Sequence, residues 1–121
     1  MADQDWEEQV TDMPLLAASP DYYAATGVFG SFIPETAGRT PRYDEVCDRV
    51  YERYTANRDR SRDFGMLNFG DQFGERKVNW DNGEYDHHHT AAQMFVRSAE
   101  PKWFHLMQDM ARHDIDVDLC H

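Results

Sequence analysis

Residues 86–114 read DHHHTAAQMFVRSAEPKWFHLMQDMARHD, and the spacing of their apolar side chains settles the class of architecture. Asp86 stands where a helix N-cap is expected, and Ala91, Ala92, Phe95 and Val96 then recur on one side of a helical wheel. Ser98 to Pro101 is a short turn that ends with proline at a helix start. The next helix carries Trp103, Phe104, Met107, Met110 and Ala111 on one face and Lys102, His105, Gln108, Asp109 and Arg112 on the other. Two antiparallel helices joined by so short a turn form a helical hairpin. The small residues at 91 and 92 admit a close helical neighbour.

Towards the N-terminus the same devices recur. Thr40-Pro41 opens a long helix whose first turns hold Asp44 and Glu45, where the helix dipole favours acids. Its apolar residues Tyr43, Val46, Cys47, Val50, Tyr51 and Tyr54 are expected to form one buried stripe, and its tail from Asn57 to Asp63 to be a solvated end. Ser19-Pro20 caps one or two helical turns that end at Gly27. Val28, Phe29, Phe32 and Ile33 form an apolar connector. Met1 to Asp12 is acidic and lacks periodicity, and residues 1–17 are expected to be an irregular segment ahead of a domain over 18–121.

Between the long helix and the hairpin lies a glycine- and aromatic-rich stretch, GMLNFGDQFGERKVNWDNGEYDHHH (65–89), expected to be an irregular, ligand-facing loop. Parity places it. The first hairpin helix leaves this loop and the second returns, each about 18–21 Å long at 1.5 Å per residue. His113, Asp116, Asp118 and His121 are therefore expected to share one rim with Asn79, Asn82, Glu84, Tyr85 and His87.

Composition narrows the partners. Twenty-three acidic against 12 basic residues give a formal charge of −11 over 121 residues, which argues against nucleic acid or anionic membrane as a general partner. It leaves room for an anionic ligand at a local basic spot. Lysine occurs only at 77 and 102. Acidic, lysine-poor usage of this kind matches proteins of salty habitats, and equal melting in low and molar salt would count against that reading. The N-terminus has neither a basic region nor an apolar run, so no signal peptide or membrane span is expected, and a cytoplasmic location follows if the chain is complete. Cys47 and Cys120 are expected to be reduced and unpaired.

His87, His88 and His89 are adjacent, so on a helix they point about 100° apart and cannot all face one ligand. His88 falls on the Ala92 and Phe95 stripe and reads as an interface histidine. His87, beside the polar loop, is the better functional candidate. No HExxH, CxxC or EF-hand spacing occurs, so no metal or other cofactor is assigned; calcium, if bound, would use Asp116, Asp118 and loop carbonyls. Histidine, tyrosine, asparagine and a basic residue together suit β-elimination from a uronic acid. That reaction needs a base for the proton alpha to the carboxylate, an acid for the leaving oxygen, and neutralisation of the carboxylate. Tyr85 and His87 are the candidates for proton transfer. Arg76, Lys77, Asn79 and Asn82 are candidates for the acid group, and Trp80, Glu84 and His121 for the rest of the substrate.

The ordered run GMLNFGDQFGER, NWDNGEYD, MFVRSAEPKWF and MARHDIDVDLCH resembles the C-terminal α/α toroid of the exo-rhamnogalacturonan lyase and YetA-like family, from about Ala18 to His121. The resemblance implies a mainly α fold of helical hairpins. It also implies elimination on pectin-derived rhamnogalacturonan, an acidic polysaccharide, within a larger parent carrying β-rich domains. The chain is far shorter than a complete toroid, so it is expected to be part of one and to self-associate through exposed faces bearing Trp103, Phe104 or Tyr51. Two alternatives stay open. One is a glycoside hydrolase using Glu84 with Asp86 or Asp118; the other is a non-catalytic sugar-binding or interaction module.

Overall fold

The computed structural model describes residues 15–61, 72–74, 77–79, 86–115 and 119. Helix α1 (Pro20–Thr26) begins at Ser19, whose hydroxyl accepts the Tyr22 amide at 3.3 Å, and ends at Gly27 in the left-handed conformation. A 3-10 turn (Glu35–Ala37) leads to the long helix α2 (Pro41–Ser61). Strands β1 (Gln72–Gly74) and β2 (Lys77–Asn79) pair antiparallel, with Phe73 opposite Val78. Helices α3 (His87–Ser98) and α4 (Pro101–His113) complete the order. No described helix is long and apolar enough to cross a membrane. The fold is thus mainly helical, and the stretch read as an irregular loop contains a short antiparallel ribbon.

The hairpin holds the core. Ala91, Met94, Phe95 and Val96 of α3 meet Trp103, Leu106 and Met110 of α4, all buried. Phe95 and Phe104 pack with ring centroids 5.3 Å apart. The turn between the helices is tight because Ala99 takes the left-handed conformation (φ 59°) and donates its N–H to the Phe95 carbonyl at 2.7 Å. Ser98 closes it further, donating to the Met94 carbonyl and accepting the Glu100 amide. Leu106 and Met94 belong to the buried set although the apolar spacing singled out other residues, and Trp103, only 5% exposed, does not form an outer face. Tyr51 and Phe104 are likewise packed against the core.

Helix α2 lies along both hairpin helices, and its contacts fix its direction. Asp44 meets Arg97 and Tyr54 meets His87, ten residues forward on α2 against ten back on α3, so these two run antiparallel. Asp48 meets Lys102, Tyr51 meets Trp103 and Arg58 meets Asp109, so α2 and α4 run parallel. The inward face is therefore Asp44, Cys47, Tyr51, Tyr54 and Arg58, spaced 3, 4, 3, 4. The single stripe expected from the apolar residues splits: Tyr43 and Val50 are 55% and 57% exposed, and Val46 is exposed beside them. A charged residue at each end of the inward face defeated the apolar pattern.

One of those charges, Asp44, forms a buried ion pair with Arg97 of α3. Arg97, at the turn end of α3, donates to the Ile33 carbonyl at 2.8 Å, to the Thr40 hydroxyl at 2.9 Å and to the Asp44 carboxylate. Its guanidinium also lies 5.0 Å from the centre of the Tyr43 ring. Both ion-pair partners are buried. Thr40 donates its hydroxyl to Asp44. Asp44, expected in the first turn on dipole grounds, lies there and is in addition a buried anchor joining α2, α3 and the connector.

Candidate functional site

The directions of the three helices bring the end of α2, the start of α3 and the end of α4 to the same end of the bundle. Ser61 and Asp86, which flank residues 62–85, both lie there. After α4 the Leu119 amide donates to the Asp114 carbonyl at 2.9 Å, which keeps the chain at this rim. The level return that helix length predicts is therefore present for the described residues.

His87 is the first residue of α3 and is half-buried. Its imidazole lies against the Tyr54 ring, centroids 6.3 Å apart and planes at 84°, an edge-to-face contact between α3 and α2. One turn beyond Tyr54, Arg58 sits 22% exposed between two acids, 2.9 Å from Asp59 and 3.7 Å from Asp109 of α4. His113, in the last turn of α4, is buried. The rim therefore holds two imidazoles, His87 of α3 and His113 of α4, with the phenol ring of Tyr54 and the guanidinium of Arg58 from α2.

The other two histidines of the run point elsewhere, as the 100° step requires. His88 Nε2 lies 3.2 Å from an Asp86 carboxylate oxygen, and His89 is exposed with its Nε2 3.1 Å from Gln93 Nε2. His88 is thus tied to its own helix start instead of being satisfied across the helix interface. Asp86 does not cap α3 with its side chain. Its backbone is left-handed (φ 53°), a conformation that Asp tolerates better than most residues, and its carbonyl accepts the Thr90 amide at 3.0 Å while its carboxylate turns to His88. Among the described residues no group of three or more His, Cys, Asp or Glu could hold a metal ion.

The distal end differs in character. Lys102 is clasped by Asp48 at 2.6 Å and Glu100 at 2.7 Å and lies over the rings of Tyr51 and Trp103. Burial works to lower its pKa, and the hydrogen bonds to Asp48 and Glu100 outweigh that and raise it above the ordinary lysine range. Burial, then repulsion from Asp44, Glu100 and Asp48, raises the pKa of Glu35. Burial likewise pushes up that of the Cys47 thiol, which is free. Through Asp48, Lys102 fastens the turn end of the hairpin to α2.

Residues 13–121 match the family model described as the PcRGLX-like protein C-terminal alpha/alpha toroid domain. The chain belongs to this family. No curated protein and no solved structure matches it. The rhamnogalacturonan lyase-like toroid that the ordered motifs resemble is thus the family shown, and the hairpin with its flanking α2 is helical architecture of the kind such a toroid stacks.

Of the residues assigned to the site of this PcRGLX-like domain, His87 lies on the rim. Lys77 and Asn79 lie on β2, paired with Gly74 and Gln72. Arg76, Trp80, Asn82, Glu84, Tyr85 and His121 lie outside the described residues, as do Asp116 and Asp118. Tyr54, Arg58 and Asp109 were not singled out for the site. Tyr54 read as core because it continues an aromatic spacing, and Arg58 read as one of several solvated arginines. The signal that finds Tyr54 and Arg58 is that they continue the alternating spacing of three and four on the inward face of α2 after Asp44, Cys47 and Tyr51, and Asp109 follows as the acid that Arg58 meets on α4.

Proposed function

We propose that this domain serves carbohydrate breakdown by β-elimination on uronic-acid-containing pectic polysaccharide, with the rim as its reacting end. The observation that carries the reading is His87: a histidine of a rhamnogalacturonan lyase-like toroid, held half-buried by an aromatic ring where three helix ends converge.

The chemistry runs as follows. A base takes the proton on the carbon alpha to the uronate carboxylate. The electron pair of that C–H bond forms the new double bond to the adjacent ring carbon, and the bond from that carbon to the glycosidic oxygen breaks. The departing oxygen takes a proton from an acid. His87 and Tyr85 share these two transfers. Arg76, Lys77, Asn79 and Asn82 offset the charge that builds on the carboxylate in the carbanion-like state, which is where preorganised donors act most strongly. Trp80, Glu84 and His121 hold the neighbouring sugars. The net charge of −11 makes such a local group of donors necessary for an anionic chain to approach.

Elimination is distinguished from hydrolysis by its product. With rhamnogalacturonan as substrate, the reading expects the ultraviolet absorbance of a conjugated unsaturated uronide to grow with each bond cleaved. New reducing ends without that absorbance would mean hydrolysis and overturn it. Binding without cleavage, surviving His87→Ala but lost in Trp80→Ala, would place the protein among sugar-binding modules.

A further inference from the structure

We propose that Tyr54 is the positioning residue of His87, and that α2 through it forms a third wall of the reacting end. The inference rests on the elimination reading for its catalytic consequence and on geometry alone for its structural part. A histidine that exchanges protons must present one nitrogen in one direction, and a helix N-terminus leaves the first side chain with few neighbours of its own helix. Across the helix interface, His87 meets the ring of Tyr54, 6.3 Å away and nearly perpendicular. Such an edge-to-face contact joins the electron-poor edge of one ring to the electron-rich face of the other, which restricts rotation as well as separation.

Tyr54 is itself well placed to be rigid. It packs against the hairpin core from the inward face of α2, and its hydroxyl is buried. The Asp44–Arg97 pair fixes the same two helices ten residues away, so the register that brings Tyr54 to His87 is held at a second point. Tyr51 against Trp103 holds the helix from the α4 side. Neither His88 nor His89 has a described aromatic contact of this kind; they engage Asp86 and Gln93. Among the described residues, His87 is the one of the three histidines with an aromatic contact from another helix.

The test uses the full chain and two readouts. Side-chain NMR of His87 follows ring contacts and rotamer averaging, and turnover on rhamnogalacturonan follows chemistry. In the native protein, nuclear Overhauser contacts between the two rings and a single His87 rotamer are expected. Tyr54→Leu should leave His87 rotamer-averaged and lower kcat about tenfold to a hundredfold, with KM nearly unchanged, as misplacement of a reacting group does. Tyr54→Phe keeps the ring and should restore both. The proposal is overturned if the native rings show no contact, which needs no variant to fold. It is also overturned if Tyr54→Leu melts like the native chain with its His87 signal unaltered. A held His87 in a protein that forms no unsaturated product would sink the elimination reading and leave the structural part standing.

Discussion

Arg97 joins α3 to the connector through Ile33, to Thr40 and to Asp44 of α2. With Asp44 it forms a buried pair in which neither side chain exceeds about a tenth of its free exposure. Replacing Arg97 with leucine would leave the Asp44 carboxylate buried without its cation, a change that costs about 3–5 kcal/mol. Chemical denaturation should therefore show Arg97→Leu destabilised by a large share of the total, since domains of this kind hold only about 5–15 kcal/mol. Replacing both partners by apolar residues should recover much of the loss. Glu35 makes the opposite case. Its pKa is raised by burial and by Asp44, Glu100 and Asp48, so its charged form opposes folding. That penalty is absent below the ordinary carboxylate pKa and fully present above the raised one. Glu35→Gln should raise the melting temperature at neutral pH, and the gain should vanish as the medium is acidified through the carboxylate range. A gain that persisted in acid would contradict the assignment.

At the scale of elements, the hairpin was readable and the placement of α2 only in part. Periodicity finds α3 and α4 because their buried residues are mostly apolar, and Pro101 and the turn at Ser98 mark the break. The inward face of α2 is not legible in the apolar pattern because Asp44 and Arg58, one at each end of it, carry no apolar signal. Asp44 finds its partner 53 residues away, a distance over which local spacing carries no information. The rim followed from parity alone, which needs only helix count and length. Its occupants on α2 did not, because aromatic residues at helical spacing look the same whether they fill a core or steady a histidine. The two faces of α2 and the core of α4 can be separated by mutation. Leu106→Ala in the core should cost about 2–5 kcal/mol, and Val50→Ser on the outer face should stay within about 0.5 kcal/mol. Equal losses at the two sites in denaturant titrations would mean that the outer face of α2 is covered in solution.

For the whole molecule, the helix directions single out one end of the bundle. A PcRGLX-like toroid domain supplies the frame, the parallel and antiparallel helix directions gather three helix ends, and His87 stands where they meet. The expected carboxylate-binding group lies on β2 and in the segment around it, next along the chain to that rim. Charge acts at this scale as well: at −11 the molecule repels a polyanion everywhere except where its cations collect, so activity should depend on ionic strength more steeply than stability does. The most direct measurement is the rate of unsaturated-uronide absorbance on rhamnogalacturonan for three proteins: native, His87→Ala and His89→Ala. A catalytic rim predicts that the native chain and His89→Ala form the chromophore at similar rates and that His87→Ala loses about a hundredfold or more, the usual effect of removing a proton-transfer group. Equal rates for His87→Ala and the native chain would contradict it.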